Sequence, residues 1–412
     1  MNIFGDDGFR DIYGKGLLNK IFLENFFLKL NNFIIKNKVP KIIIGFDTRN
    51  SCIDIIKIII EKIIHPTVIE ILDIPVPSPC ISYLAKKKKN CFLIMITASH
   101  FDREFNGFKF FYKGEKLSKI YEKKILNSSK KKYKLKKKKI IFSKIYKHYI
   151  EYINKKFKYS HKSSDVLIDF AFGSAASIAS KINFLKKIEK TNYNYNYRNI
   201  NKNCGSNHLK KNSKNLPFSK FEYCLAYDGD ADRLLVHKKN YGIIESEKMI
   251  LIFLSYLKKK SLPNKVIATN IINPDLIEIL KKMKIKTIQT NVGDRNIINN
   301  QIKYNSSLGF ETSGHYSFDK FMDGIYASGL FLKILKSNRK IIEDILNVNF
   351  TYKLKKINLK QNQLKKINIF QYQKSKFFKI IIRKSIWENI YRLYIFYKPD
   401  GLLKVKKILS KL

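Results

Sequence analysis

Short apolar runs bounded by turn residues recur along the first part of the chain and predict the strands of a sheet. Runs of this kind are typical of buried strands, and they cover residues 41–45, 68–74 and 91–96. Between the first two, residues 52–64 are apolar densely enough for a mostly buried helix, with Asn50 and Ser51 as capping candidates. Prolines at positions 75, 77 and 79 predict an extended turn before the third strand. The pattern indicates a wound α/β sheet.

Residues 127–139 form a Ser- and Lys-rich segment that we interpret as a linker or loop. After it, the pattern of predicted strands and helices is repeated twice. It predicts strands at 166–170, 223–227, 234–237, 266–270 and 286–290, with a helix after Gly173 and another at 274–283. From residue 349 the pattern changes to β-like runs at 377–382 and 393–397 and a helix from 401. We therefore predict an α/β fold of three consecutive similar mixed-sheet domains plus a smaller C-terminal α+β domain, with boundaries at 1–140, 141–250, 251–348 and 349–412.

Composition is that of a globular protein with an extreme charge. The chain has 412 residues, 45% of them hydrophobic, and a formal net charge of +48. A nucleic-acid or anionic membrane surface would explain this charge. We favour compositional drift toward A+T-rich codons, because lysines are scattered through every segment and no basic helix or zinc finger is recognisable. A basic surface would still attract anionic sugar phosphates.

Cysteine usage and hydropathy indicate a soluble cytoplasmic protein. The five cysteines are far apart, with no C-x-x-C pair, so neither zinc nor a disulfide framework is indicated. The N-terminus lacks the pattern of a signal peptide. Charged residues interrupt the Ile-rich run at 53–76, so no uncharged span reaches the roughly 18–20 residues that cross a bilayer.

Ser99 lies just past the predicted strand at 91–96, at the carboxyl end, where wound sheets place ligands. His100 follows it directly, and a Gly-Phe-Lys segment ending at Lys109 comes after a polar loop. A serine at such a junction is more often a turn former than a nucleophile. This stretch alone leaves both roles open.

Three carboxylates at alternate positions, Asp228, Asp230 and Asp232, stand in a glycine-containing loop between two predicted strands. They can converge on one hard cation, and Mg²⁺ fits because it takes oxygen ligands and keeps positions open for a phosphate. An EF-hand loop is excluded, since Arg233 and Lys239 replace its glycine and its final Glu. An Asp-rich turn remains the alternative, although the guanidinium of Arg233 suits a phosphoryl oxygen.

Four motifs in one order carry a resemblance to a known family. They are FGDDGFR at 4–10, TASH at 97–100, DGDADR at 228–233 and ETSGH at 311–315. Together they resemble the α-D-phosphohexomutase superfamily, and residues 199–206 and 292–295 resemble its bacterial phosphoglucosamine mutase branch. The segment at 47–49 also matches the family, and we interpret its role as structural. The resemblance implies domains around a central cleft.

The resemblance implies a role for each matching residue. Ser99 would carry the phosphoryl group, and Mg²⁺ would be held by Ser99, through its phosphate oxygen, and by Asp228, Asp230 and Asp232. Arg10 and Lys109 would lie near the phosphoryl group, with Lys109 or His100 as the proton carrier. The substrate-binding residues would be Arg233, Glu311, Ser313, His315, Arg383 and Ser385, with His315 supporting the loop. At 383–389 the family's Arg-x-Ser-Gly-Thr-Glu-Pro loop keeps Arg, Ser and Glu but lacks Gly, Thr and Pro.

The implied activity is an isomerase reaction between glucosamine 6-phosphate and glucosamine 1-phosphate, on the amino-sugar route to cell-wall precursors. It would run through a phosphoserine enzyme and a bisphosphate intermediate, with a sugar 1,6-bisphosphate as activator. Phosphomannomutase or phosphoglucomutase specificity is the nearest alternative. A degenerate scaffold that binds nucleic acid is a more distant one. We expect a monomer or homodimer with no specific nucleic-acid partner and no membrane contact.

Overall fold

The computed structural model describes residues 3–5, 8–64, 68–129, 138–160, 163–215, 217–257, 262–361, 363, 378–384, 390–403 and 405. The chain forms two compact units. The first contains Met1–Ile244 and Gly314–Ser337, and the second contains Glu245–Ser313 and Asn338–Leu412. Within the described ranges, every helix falls short of the length and apolar character that a bilayer-spanning helix needs.

The N-terminal sheet of the first unit has strand order β1-β5-β4-β2-β3-β7, with β6 added beside β5. Strands β4, β2, β3 and β7 run parallel to one another. Strand β5 pairs antiparallel with β4 on one side and with β1 on the other. Its elements are β1 (Phe9–Ile12), α1 (Lys20–Lys36), β2 (Lys41–Phe46), α2 (Ser51–Lys62), β3 (Val68–Leu72), α3 (Ser78–Lys87), β4 (Phe92–Ile96), β5 (Phe105–Tyr112), β6 (Glu115–Lys116), α4 (Lys119–Leu126), β7 (Lys139–Ser143) and α5 (Lys147–Lys156).

Packing explains why the apolar runs of this sheet are strands. Every residue of β4 is buried, as expected for a parallel strand covered by helices on both faces. Aromatic residues of α1 and β5 fill one face of the core, with the rings of Phe26 and Phe110 5.6 Å apart. The core thus fixes the end of β4, from which the Ser99 loop leaves.

Two features of this sheet differ from the sequence prediction. The proline segment predicted as an extended turn at 75–79 is extended only as far as Pro77, because α3 begins at Ser78 with Pro79 in its first turn. Proline is compatible with that position, since the first amides of a helix have no intrahelical acceptor. The strand β7 was not predicted, although it contains the apolar run Ile140, Ile141 and Phe142 directly after the predicted linker at 127–139. Residues 130–137 of that linker lie outside the described residues.

The second sheet of the first unit holds the Asp-rich loop between β10 and β11. Its strand order is β12-β11-β10-β8-β9, with β10, β8 and β9 parallel and the other pairs antiparallel. The predicted helix after Gly173 is limited to the four residues of α6. The elements are β8 (Ser163–Asp169), α6 (Ala176–Ala179), β9 (Ile188–Thr191), α7 (Leu209–Asn212), β10 (Tyr223–Tyr227), β11 (Leu234–Lys238) and β12 (Gly242–Ile243).

The second unit contains three parallel strands in the order β14-β13-β15 and an antiparallel C-terminal sheet in the order β17-β19-β18. The remaining elements are α8 (Ser246–Leu257), β13 (Lys265–Thr269), α9 (Pro274–Lys282), β14 (Lys286–Thr290), α10 (Asp294–Lys303), β15 (Leu308–Glu311), β16 (His315–Ser317), α11 (Gly324–Ser337), α12 (Arg339–Leu346), β17 (Lys353–Leu359), β18 (Phe378–Lys384) and β19 (Tyr391–Tyr397). Of these, β16 and α11 belong to the first unit.

The predicted α/β class with several mixed sheets and several domains is confirmed. The predicted strands at 223–227 and 286–290 match β10 and β14 residue for residue. The exact four-domain boundaries stay a prediction. Most of the helix predicted from residue 401 lies outside the described residues.

Candidate active site

Ser99 occupies a strained and buried position directly after β4. Its φ is 54°, in the left-handed region, which costs a residue with a side chain roughly 1–2 kcal/mol. Its amide donates to Thr97 Oγ1 at 2.8 Å. Its hydroxyl donates to Asp228 Oδ2 at 2.7 Å. The hydroxyl is therefore aimed at the Asp-rich loop of the neighbouring sheet.

The backbone of the Ser99 loop is held by two side chains that sequence reasoning missed as site residues. Arg49 is fully buried, and its Nη2 donates to the carbonyl oxygens of Ser99 at 3.1 Å and Phe101 at 2.7 Å. Asn201 Nδ2 donates to the same two oxygens, each at 2.8 Å. Arg49 is itself fixed by Asp47, whose Oδ2 accepts from Nε at 3.0 Å. The only sequence signal was that both residues lie in motifs matching the family.

The three Asp carboxylates converge as their spacing predicted. Asp228, Asp230 and Asp232 are buried, and one oxygen of each lies within 4.8 Å of the others. Lys109 Nζ lies 2.7 Å from Asp230 Oδ2 and 2.6 Å from Asp232 Oδ2. Ser78 also donates to Asp230 Oδ2, at 2.5 Å. One ammonium thus pairs with two of the three buried carboxylates.

This cluster has the donor set of a hard-cation site. Among the described residues, Asp230 Oδ1 is buried with no hydrogen-bond partner, which is costly unless a cation or water satisfies it. Burial raises the pKa of Asp228 well above its usual range, and the charges of Asp232 and Asp230 add to the rise. Burial acts in the same direction on Asp232, but Lys109, His315 and Arg233 hold its pKa well below the usual range. The residues present therefore fit Mg²⁺.

Gly229 lets the Asp-rich loop approach the Ser99 loop. A Cβ at this position would lie 2.8 Å from the Ser99 carbonyl oxygen and 2.7 Å from Ile200 Cδ1. Contacts this short are not tolerated by a real side chain, so the close approach requires glycine.

Two further predicted residues, Arg233 and His315, lie beside the cluster. Arg233 Nε is 3.6 Å from Asp228 Oδ2 and 3.1 Å from His315 Nε2. The same His315 nitrogen lies 3.2 Å from Asp232 Oδ1. A single ring nitrogen cannot accept from Arg233 and donate to Asp232 at once, so only one of these two contacts is a hydrogen bond at a time. His315 thus contacts the Asp-rich loop directly.

His100 and Arg10 border the Ser99 hydroxyl and its loop. His100 Nδ1 is 3.4 Å from Ser99 Oγ. Burial, with the charges of Arg233 and Arg10, holds the pKa of His100 well below its usual range. The guanidinium carbon of Arg10 lies 4.9 Å from the centre of the Phe101 ring. A cationic side chain therefore flanks the loop that carries Ser99.

The remaining predicted residues belong to the second unit. Glu311 ends β15, and its Oε1 accepts from the amide of Gly293 at 2.8 Å while Oε2 accepts from Ser313 Oγ at 3.2 Å. Gly293 has a φ of 121° at the start of α10, which suits glycine. Arg383 lies in β18 opposite Arg392. Ser385 lies outside the described residues, as do the other residues at 385–389.

Comparison with known proteins places this geometry in a family. The model of phosphoglucomutase/phosphomannomutase alpha/beta/alpha domain I matches residues 1–136, and that of domain III matches residues 245–352. A phosphoglucosamine mutase of Dictyoglomus turgidum is 33% identical over 95% of this chain and 93% of its own length. The chain belongs to the α-D-phosphohexomutase superfamily, in its bacterial phosphoglucosamine mutase branch. The resemblance stated from the four motifs is confirmed.

Further relatives agree with this assignment. A phosphoglucosamine mutase of Clostridium tetani is 28% identical to this chain, over 95% of this chain and 94% of its own length. A phosphoglucomutase/phosphomannomutase family protein of Burkholderia thailandensis has the same fold, with a TM-score of 0.82 at 16% identity, covering 100% of this chain and 96% of that one. The N-acetylphosphoglucosamine mutase of Aspergillus fumigatus, solved with GlcNAc-6P and magnesium, has a TM-score of 0.64 at 15% identity over 96% and 92% of the two chains.

Proposed function

We propose that this phosphohexomutase is an isomerase that interconverts glucosamine 6-phosphate and glucosamine 1-phosphate, in the synthesis of amino-sugar precursors of the cell wall. The observation that carries the proposal is the Ser99 hydroxyl, held in the left-handed conformation 2.7 Å from Asp228 of a buried carboxylate cluster. The phosphoglucosamine mutases that are 28–33% identical to the chain support the substrate.

The reaction consists of two phosphoryl transfers in opposite directions. In the active enzyme Ser99 Oγ carries a phosphoryl group. The free hydroxyl of the sugar attacks that phosphorus, so a sugar O–P bond forms, the Ser99 O–P bond breaks and the hydroxyl proton passes to a protein base. The resulting 1,6-bisphosphate turns over in the site and returns its other phosphoryl group to Ser99, and the departing sugar oxygen recovers a proton. Such transfers depend chiefly on alignment and charge neutralisation.

Mg²⁺ fits the carboxylate cluster and would be held by Asp228, Asp230, Asp232 and an oxygen of the Ser99 phosphate. Bound there, it would neutralise the charge of the transferring group. Lys109 already bridges two of these carboxylates, at 2.7 Å and 2.6 Å. Its ammonium offsets part of their mutual repulsion.

The other roles follow from charge and position. Arg10, on β1 beside the Ser99 loop, would hold phosphoryl oxygens, and Lys109 or His100 would carry the proton of the sugar hydroxyl. We assign substrate contacts to Arg233, Glu311, Ser313, His315, Arg383 and Ser385. Glu311 and Ser313 are joined by a hydrogen bond of 3.2 Å, which supports one hydroxyl-binding pair.

A coupled assay with glucosamine 6-phosphate, Mg²⁺ and a sugar 1,6-bisphosphate activator tests the proposal. Turnover should be lost in Ser99→Ala and in Asp230→Ala but kept in Ser129→Ala, a matched change of an exposed serine. Mass spectrometry of the wild-type protein should find phosphate on Ser99. Undiminished turnover in Ser99→Ala would overturn the mechanism. Relative rates on the glucosamine, glucose and mannose phosphates would separate the proposed specificity from the phosphoglucomutase and phosphomannomutase alternatives.

We also propose a cytoplasmic enzyme that acts as a monomer or homodimer. The five cysteines are free and buried, which supports a reducing compartment. The +48 charge should produce only weak, steeply salt-dependent nucleic-acid binding. Tight binding at physiological salt together with absent mutase activity would favour the degenerate scaffold instead.

A further inference from the structure

The carbonyl oxygen of Ser99 receives two side-chain donors from distant parts of the chain. Arg49 Nη2 approaches it from the segment between β2 and α2 at 3.1 Å. Asn201 Nδ2 approaches from the segment between β9 and α7 at 2.8 Å, across 102 positions of sequence. We call these two residues the carbonyl clamp.

The carbonyl clamp also holds the next part of the loop. Both members donate to the carbonyl oxygen of Phe101, at 2.7 Å from Arg49 and 2.8 Å from Asn201. Arg49 Nη1 adds donations to the carbonyls of Asp102 and Phe105. The carbonyl oxygens of Ser99 and Phe101 are therefore turned toward both members of the clamp, and the Ser99 side chain faces Asp228.

The clamp acts on a conformation that Ser99 would not adopt unaided. A non-glycine residue at a φ of 54° relaxes toward negative φ unless its surroundings hold it. Relaxation would rotate both the carbonyl group and the Cα–Cβ bond, and so carry Oγ away from its place 2.7 Å from Asp228 Oδ2. Displacement of a reacting atom by about 1 Å can slow a transfer reaction about a hundredfold.

We propose that Asn201 and Arg49 are positioning residues for phosphoryl transfer, which hold Ser99 in the left-handed conformation through its carbonyl oxygen. This inference rests on the proposed function of Ser99. The clamp donates its hydrogen bonds to main-chain oxygens of the Ser99 loop and acts on Oγ through the backbone. Its loss should therefore slow the chemical step and leave substrate affinity unchanged.

The chain offers a matched pair of variants for the test. Asn201 and Asn203 both have left-handed backbones, with φ of 58° and 54°, so glycine fits either position without strain. Asn201 is buried against the Ser99 loop, whereas Asn203 is exposed. Asn201→Gly should lower kcat by about tenfold to a hundredfold with KM for glucosamine 6-phosphate unchanged within about twofold. Asn203→Gly should keep wild-type values of both.

Rapid-quench measurement of phosphoryl transfer from the phosphorylated enzyme to glucosamine 6-phosphate supplies the second readout. The transfer rate of Asn201→Gly should fall by the same factor as kcat. A wild-type transfer rate, or a rise in KM at constant kcat, would overturn the inference. If Asn201→Gly does not fold, Asn201→Asp, which keeps the size and removes the donors, takes its place with the same expectation. Arg49→Lys, which cannot reach all its carbonyl acceptors at once, should show the same separation of kcat from KM.

These outcomes separate the inference from the proposed function. Wild-type protein without phosphate on Ser99 and without mutase turnover would refute the function itself. Active wild-type protein together with fully active Asn201→Gly and Arg49→Lys would refute only the clamp.

Discussion

Asp323 provides a direct test of how burial controls the stability of the first unit. It precedes α11, and its Oδ1 accepts from the amide of Tyr326 at 2.8 Å, the contact of a helix N-cap. The hydroxyl of Tyr149 lies 3.0 Å from each carboxyl oxygen. Despite these donors, burial raises the pKa of Asp323 from 3.8 to about 7.

The sign of the pH dependence follows from this raised pKa. The folded protein holds the Asp323 proton more tightly than the unfolded chain, so the contribution to stability is complete below pH 3.8 and is lost as the pH rises to about 7. Between pH 5 and pH 8 the loss amounts to about 2.5 kcal/mol at 1.36 kcal/mol per pKa unit. Asp323→Asn keeps the cap but carries no charge. The variant should therefore lack this loss.

Urea unfolding at pH 5 and pH 8, followed by far-UV circular dichroism, measures this change in the free energy of unfolding. If the chain unfolds in more than one transition, the value is taken from the transition whose midpoint Asp323→Asn shifts. The free energy of unfolding should fall between the two pH values by about 2.5 kcal/mol more in wild type than in Asp323→Asn. Asp54→Asn is the control, because Asp54 is 57% exposed beside Lys57 and its replacement should leave the contribution of Asp323 intact. Equal pH dependence of Asp323→Asn and wild type would refute the reasoning from burial.

Three further predictions concern the carboxylate cluster, the loop contact and the core. Mg²⁺ at about a hundred times its Kd should stabilise the wild type by about 2.7 kcal/mol, and Asp230→Asn should remove most of the resulting rise in melting temperature; an undiminished rise would place the cation elsewhere. Gly229→Ala should lower kcat about a hundredfold, because its Cβ would lie 2.8 Å from the Ser99 carbonyl oxygen; wild-type turnover in the coupled assay would contradict the close approach. The hydroxyls of Tyr227 and Ser328 share a buried hydrogen bond of 2.5 Å, so Tyr227→Phe and Ser328→Ala should each lower the free energy of unfolding in urea by about 1–3 kcal/mol. The double variant should lose less than the sum of the two, and additive losses would refute this coupling.

Local patterns in the sequence were sufficient for several of the strands and for the family. The strands β10 and β14 could be delimited because apolar runs between turn residues are set by neighbours in the chain. The convergence of Asp228, Asp230 and Asp232 was predictable for the same reason, since three carboxylates within five positions share one loop. The order of four such motifs then sufficed for the superfamily.

The tertiary structure decided which buried polar groups meet. Lys109 reaches Asp230 across 121 positions, and Asn201 reaches the Ser99 carbonyl across 102. The pKa of Asp323 is raised by burial, which depends on tertiary packing and leaves no local pattern in the sequence. Even α3 was misjudged locally, because Pro79 is compatible with an extended turn and with a first helical turn alike. The sequence shows the same Asp or Asn whether the residue lies in a solvated turn or in a buried site. Only the packing of distant segments determines its hydrogen-bond partners and its charge.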